Sequence, residues 1–347
     1  MNVGSEASGR HLGAVEKAAE PSAGGEKEYH HGLGPCLAHR GATPHARVFG
    51  YCHLMPADLH APRRSGIFFD PADTEVGIWA TVDLLKPGCT VLDLGSGSGA
   101  AASAVARAGA GHVHGLDISQ NSVLWASQHY ALQTNNERVT FAVADYANLS
   151  SSQLLYSCPF NPPPAVIAAN PPYVPVSRPR GSKKVSIDGG FDGLHLVRLI
   201  VCHAAAMRSD LGLTIGSYSS PLTAARVLYE FGYKISNVTL SALRLGDYTV
   251  KNMERVLALE AGGEGPLLRA EDGVVYYIVV GLSCRRVQNS TVGSSNPTLT
   301  AEELLALLQL ACQSRTVSLD AFDASSVAWP VPIRILVLPD EPLRHHC

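Results

Sequence analysis

The residues Val91-Leu92-Asp93-Leu94-Gly95-Ser96-Gly97-Ser98-Gly99-Ala100 decide the fold. An apolar run ends in three glycines that alternate with serines, and a small-residue segment, Gly99–Ala108, follows at once. The pattern predicts a short strand, Thr90–Leu94, a tight turn and a helix. Glycines there let the backbone turn sharply and approach a ligand where any side chain would collide. Two more carboxylates suit a ligand with a nucleoside end. Asp117 closes the next strand, where it can accept both hydroxyls of a ribose, and Asp145 closes the third, beside the adenine position.

Two cofactors fit this loop. Gly95, Gly97 and Ala100 match G-x-G-x-x-A, with Asp117 at roughly dinucleotide spacing. S-adenosylmethionine is favoured by Asp93, whose carboxylate would lie near the amino end of that molecule. A pyrophosphate would need open space there. The expected cofactor set is Asp93, Gly95, Ser96, Gly97, Ser98, Gly99, Asp117 and Asp145.

Working outward, strands and helices alternate. Strands are expected at His112–Leu116, Val139–Val143, Ala165–Ala169, Leu213–Tyr218, Lys234–Leu240 and Val274–Leu282, with helices at Ser119–Gln133, Leu196–Ala206 and Leu222–Phe231. Such alternation implies βαβ units: an α/β, Rossmann-like sheet of seven mostly parallel strands with helices on both faces.

The turn after the fourth strand chooses between the cofactors. It reads Val166-Ile167-Ala168-Ala169-Asn170-Pro171-Pro172-Tyr173. Two prolines fix φ, and Pro171 holds Asn170 extended, so the turn is rigid and sits at the edge of the sheet where ligands bind. An amide or aniline-like NH2 is a poor nucleophile because its lone pair is delocalised. If the Asn170 oxygen and the Pro171 carbonyl accept its two N–H bonds, its remaining face turns toward a methyl donor, and those bonds strengthen as positive charge grows on nitrogen. Tyr173 would pack its ring on the planar group. Asn170, Pro171, Pro172 and Tyr173 form the expected catalytic turn, and Asn170 also borders the cofactor. No strong base is required before transfer.

These segments together resemble the HemK/PrmC family, class I methyltransferases that use S-adenosylmethionine to methylate the glutamine amide of the Gly-Gly-Gln motif in translation release factors. The resemblance covers about residues 66–285. It is carried by Asp70-Pro71-Ala72-Asp73-Thr74-Glu75, by the glycine loop, by Asn170–Tyr173, and by Ile187-Asp188-Gly189-Gly190-Phe191-Asp192-Gly193-Leu194. The last is the most specific, because adenine methyltransferases of nucleic acids share the Asn-Pro-Pro-Tyr turn but not this loop. The resemblance implies a release factor as partner and places Tyr146 beside the adenine. It departs from the bacterial members at residues 1–65, which are too polar and too rich in Gly and Pro to form their N-terminal helical domain. It departs from the shorter archaeal and eukaryotic members in the Arg244–Asp272 insert and the tail beyond Arg286. A small-molecule amine, or a nucleobase in RNA or DNA, is the alternative acceptor.

Composition bounds these readings. The chain has 347 residues, 46% of them hydrophobic and only 16% charged, with a formal charge of -3, so no global basic field directs it to nucleic acid. A local basic run, Arg178, Arg180, Lys183 and Lys184, is a candidate contact for an acidic partner. Residues 1–45 read as a disordered leader, 46–286 as the catalytic domain with the 244–272 insert, 287–299 as a linker and 300–347 as a small C-terminal extension opened by the capping box Thr300–Glu303, with a further strand at Pro332–Leu338. The N-terminus lacks a signal-like apolar stretch, and no run is long enough for a membrane helix. Eight cysteines without a C-x-x-C pair suggest reduced thiols and a cytoplasmic protein. Cys36, His39, His45, Cys52, His53 and His60 follow no zinc spacing, so no metal is expected.

Overall fold

The computed structural model describes residues 27–30, 45–63, 66–132, 137–177, 187–287, 297–320 and 322–339. In chain order the strands are β1 (Lys27–His30), β2 (His45–Phe49), β3 (Thr90–Leu94), β4 (His112–Asp117), β5 (Val139–Val143), β6 (Val166–Ala169), β7 (Asp210–Gly216), β8 (Tyr233–Arg244), β9 (Leu268–Arg269), β10 (Val275–Arg286) and β11 (Ile333–Val337). The helices are α1 (Pro71–Val82), α2 (Ala100–Arg107), α3 (Gln120–Ala126), α4 (Ser151–Tyr156), α5 (His195–Met207), α6 (Pro221–Glu230), α7 (Asp247–Lys251), α8 (Met253–Ala261) and α9 (Ala301–Cys312).

Side chains alternate across each strand, and here both faces are buried. Val91 of β3 shares a core with Ile78 and Val82 of α1 and Ala102 and Val105 of α2. Leu92 and Leu94 face the other way, into the core that also holds Val197, Ile200 and Val201 of α5 and Leu228 of α6. Each such side chain contributes about 1.5–3 kcal/mol by leaving water. A sheet covered on both faces is the setting in which parallel strands are found, and every pairing here is parallel except those of β10.

The strand order is β1-β2-β11-β8-β10-β7-β6-β3-β4-β5, with β9 attached to β10. The seven expected strands are the contiguous run from β5 to β8, but the path holds ten, so the seven-stranded expectation is corrected. Of the extra strands, β1 comes from the segment read as leader, β2 from the start of the catalytic segment, and β11 from the extension, where a strand is expected at Pro332–Leu338. β11 aligns Ile333, Arg334 and Ile335 with Val238, Thr239 and Leu240 of β8. Arg334 bonds Asp83 at 2.9 Å and lies 3.8 Å over the Trp79 ring, locking β11 to α1. Arg47 of β2 donates to the carbonyls of Ser318, Leu319 and Phe322. Leu304, Leu307 and Leu308 of α9 join the same core as α5 and α6. The C-terminal segment is therefore part of the domain rather than an appendage.

Other boundaries also differ. The helix expected over Ser119–Gln133 ends at Ala126 and continues as a π-helical turn, Ser127–Leu132. The insert folds as α7, α8 and β9, and Val256 of α8 packs with Trp79, Tyr173, Tyr218 and Tyr277. Within the 1–45 leader, Lys27–His30 pairs with β2. Apart from His45, which opens β2, the rest of that leader, with Cys36 and His39, lies outside the described residues, as do the basic run Arg178–Lys184 and residues 288–296 of the linker.

Candidate functional site

Because β3 alternates, Asp93 points to the α1 side, and the same alternation along β6 brings Asn170 to that side. The loop between β3 and α2 turns on three left-handed glycines, with φ of +83° at Gly95, +51° at Gly97 and +82° at Gly99. At Gly99 space excludes a side chain as well. A Cβ at Gly97 would lie 3.4 Å from the Phe68 carbonyl oxygen, and one at Gly99 would lie 2.7 Å from the Ala126 methyl.

Asp93, Gly95, Ser96, Gly97, Ser98 and Asn170 line one cleft of about 620 Å³, open mouth included, together with Phe68, Thr74, Gly77 and Ile78. Its polar atoms are poised for a ligand. Asp93 Oδ2, Ser96 Oγ and Asn170 Oδ1 are buried without a hydrogen-bond partner, a costly state unless something in the cleft satisfies them. Burial, and next the charge of Asp117, pushes the Asp93 carboxyl up to about 7. An ammonium group is the natural complement of that carboxylate.

Asp117 is turned onto the loop. Its Oδ2 accepts from Gly97 N at 2.8 Å and its Oδ1 from Ser119 N at 2.7 Å, so it braces the turn and keeps its remaining lone pairs for hydroxyls. Asp145 accepts from Ala147 N at 3.1 Å and from Asn148 Nδ2 at 2.7 Å. Beyond these carboxylates, Ile118 and Val143 are 49% and 53% exposed, an apolar surface suited to a planar ring. Tyr146 is buried, its hydroxyl 3.9 Å from where a Cβ on Gly95 would stand, so it packs beneath the loop. Its carbonyl accepts from His203 Nε2 at 3.0 Å, and His203 Nδ1 then accepts from Ser151 Oγ at 2.9 Å.

The turn Asn170–Tyr173 is held from two sides. Asn170 Nδ2 donates to Asp73 Oδ2 at 2.8 Å, and Tyr173 OH donates to Asp73 Oδ1 at 3.0 Å. Tyr173 does not present its ring to the cleft as expected. It is 7% exposed and packs between Tyr218 and Tyr277, so it anchors the turn from below. Pro171 is buried and Pro172 half-buried, and Gly99, Asp117, Asp145, Tyr146, Pro171, Pro172 and Tyr173 stand around the cleft rather than on its wall. From the other side, the Asp188–Leu194 loop packs its glycine backbone directly on the turn. A Cβ at Gly189 would meet the Tyr173 backbone at 2.7 Å.

Sequence reasoning had no role for Asp73, Ser219 or Tyr277. For Asp73 a signal existed, since Asp70-Pro71 is a helix start with an N-cap carboxylate and Pro at the first position, which puts Asp73 in the first turn of α1. The partnership itself spans 97 residues and had no local trace.

Residues 85–160 match the family model of a methyltransferase domain. This part of the chain is a methyltransferase domain of the S-adenosylmethionine-dependent class. S-adenosylmethionine is its cofactor, and the unpartnered Asp93 oxygen and the glycine cradle fit it. No curated protein matches the chain. Among solved structures, the methyltransferase domain is similar to a candidate RNA methyltransferase from Pyrococcus horikoshii, with 14% identity, 67% of this chain and 93% of that one covered, and a TM-score of 0.42. Ribosomal protein L11 methylase from Lactobacillus delbrueckii gives 17% identity, 73% and 98% coverage, and a TM-score of 0.37. Magnesium protoporphyrin IX methyltransferase from Synechocystis gives 17% identity, 61% and 78% coverage, and a TM-score of 0.36. At such similarity none of them bears on the acceptor. No helix among the described residues is long and apolar enough to cross a membrane.

Proposed function

We propose that this enzyme methylates a planar nitrogen that carries N–H bonds, and that its acceptor is the glutamine amide of the Gly-Gly-Gln motif in a translation release factor. The observation that carries this reading is the Asn170 side chain. Its Nδ2 is occupied by Asp73, while its Oδ1 is buried and unpartnered on the wall of the cleft. An orphaned acceptor next to the cofactor loop calls for a donor on the substrate.

S-adenosylmethionine, when bound, supplies a sulfonium methyl group. Asp93 holds an ammonium, Asp117 accepts ribose hydroxyls, and Asp145 with Ile118 borders the adenine. Asn170 Oδ1 accepts one acceptor N–H and the Pro171 carbonyl the other, which fixes the nitrogen and stabilises its growing positive charge. The Asn-Pro-Pro-Tyr turn and the Gly-Gly-Phe-Asp-Gly-Leu loop support the release factor as substrate through their resemblance to HemK/PrmC enzymes, and with it a cytoplasmic site of action. The basic run Arg178–Lys184 is the candidate docking surface.

Radiolabelled methyl transfer into purified release factor, total RNA and a metabolite extract, run side by side, tests this. One methyl group on the intact release factor and none on a Gln→Ala version supports it. Label confined to a small amine or to RNA would move the assignment to that acceptor.

A further inference from the structure

A side-chain amide has two nearly identical ends. Turning Asn170 by half a rotation would present an N–H donor to the cleft instead of an oxygen, with little change in shape. The backbone of the Asn-Pro-Pro turn does not choose between these states. The side chain that does stands on α1. Asp73 is 1% exposed, and its two oxygens receive Asn170 Nδ2 at 2.8 Å and Tyr173 OH at 3.0 Å, with Tyr277 OH 3.1 Å from the same phenol. The helix comes this close because Gly77 follows one turn later. A Cβ there would lie 3.0 Å from Thr214 Oγ1 and 3.9 Å from Asn170 Cβ.

We propose that Asp73 is the positioning residue of the site: a carboxylate that only accepts, it selects the Asn170 rotamer whose oxygen faces the cleft, and so restricts the methyl acceptor to groups that donate N–H bonds. An unpartnered amide oxygen would repel a carboxylate or a thiolate, whereas a flipped amide would welcome one. The inference rests on the reading of Asn170 as the group that holds the acceptor, but its test needs no acceptor.

Titration gives the handle. Burial, and next the charge of Asp70, holds the Asp73 carboxyl up to about 7, while its bonds from Asn170 and Tyr173 pull it down. The groups facing it are Asp70 at the N-cap of α1, Tyr173 on the turn, Tyr218 after β7 and Tyr277 on β10. Burial pushes all three phenols up, so they keep their protons while Asp73 titrates. A protonated Asp73 can donate as well as accept, and its selection of the rotamer weakens.

The test is NMR of the full-length protein labelled with ¹⁵N-asparagine, with S-adenosylhomocysteine present and the Asn170 side-chain signal identified by its loss in Asn170→Ala. In the wild type, one Nδ2 proton should exchange with solvent about tenfold or more slowly than in the flipped state, as one charge-assisted bond warrants, and should titrate near pH 7. Asp73→Leu should abolish the protection. Asp73→Asn can still accept from Asn170 through its carbonyl while donating to Tyr173, so it should keep the protection and lose the titration. Protection unchanged in Asp73→Leu, or the same titration in Asp73→Asn, would overturn the proposal. If Asp73→Leu does not fold, the Asp73→Asn comparison decides alone. A release factor that gains no methyl group would leave these signals unaffected, so the two failures are distinguishable.

Discussion

Gly193 stands so close to Tyr173 that a Cβ on it would lie 2.5 Å from the Tyr173 carbonyl oxygen, the same oxygen that accepts from Ser219 Oγ at 2.7 Å. With φ of +80°, Gly193 is also in the left-handed region. Gly193→Ala should therefore cost about 1–3 kcal/mol in strain and push the turn. The expectation is a lower melting temperature and methyl transfer reduced by about tenfold or more, because a small misplacement of an oriented group is enough. Affinity for S-adenosylhomocysteine should stay near that of the wild type. Normal turnover in a destabilised Gly193→Ala protein would show that this loop does not position Asn170.

Asp93 predicts a pH dependence. Its folded-state carboxyl lies near 7, above the unfolded value, so its contribution to the stability of the free protein is complete below about pH 4 and lost as pH rises through 7. The ammonium of the cofactor favours the ionised form. Cofactor affinity should thus rise between about pH 5 and 8, following ionisation of this group. Asp93→Asn should raise the melting temperature of the free protein most at pH 8, progressively less as pH falls and least below about pH 4, and should weaken cofactor binding at pH 8 by about 1.5–3 kcal/mol. Calorimetry across pH checks both signs, and a pH-independent wild-type affinity would exclude an ammonium contact at Asp93.

Asp117 has two tasks that one variant can separate. Asp117→Ala removes the acceptor for Gly97 N and Ser119 N as well as that for the ribose, and should weaken S-adenosylmethionine by about 1.5–3 kcal/mol while lowering the melting temperature. Asp117→Asn keeps one acceptor oxygen and should recover part of the stability. Tight NADH binding by the wild type would contradict the cofactor assignment.

How far the sequence led depends on the range of each signal. Alternating apolar residues and the glycine loop predicted β3 to β8 and β10, because those signals are local. Asp93, the loop and Asn170 were readable together, since each closes a strand and strand ends share one edge of the sheet. Tyr173 was misplaced because a buried tyrosine needs a partner for its hydroxyl, and that partner, Asp73, is remote in the chain. β2 was hidden for a similar reason, whereas Pro332–Leu338 reads as a further strand and forms β11. A strand of five residues carries little pattern, and the places of β2 and β11 in the sheet depend on Arg47 and Arg334 reaching distant groups.

The Arg334–Asp83 pair makes that last point testable. Asp83 has no exposed side-chain surface, and Arg334 Nη1 lies 2.9 Å from it. Arg334→Met leaves a buried carboxylate with, among the described residues, only Asn237 as a side-chain donor at 3.1 Å, and should destabilise the protein by about 3–5 kcal/mol in urea unfolding. An effect under about 1 kcal/mol, of the size of a surface pair, would argue that β11 is peripheral.

On the proposed reading, Asn170 holds the methyl acceptor while other residues hold the cofactor. The direct measurement compares wild type and Asn170→Ala in two assays: calorimetric binding of S-adenosylhomocysteine, and methyl transfer into a release factor with its Gly-Gly-Gln motif intact. In Asn170→Ala, affinity should stay within about twofold of wild type and transfer should fall by roughly 100-fold or more, as for loss of one oriented polar group at a reacting centre. Near-normal transfer by Asn170→Ala, or loss of cofactor binding equal to the loss of transfer, would contradict it.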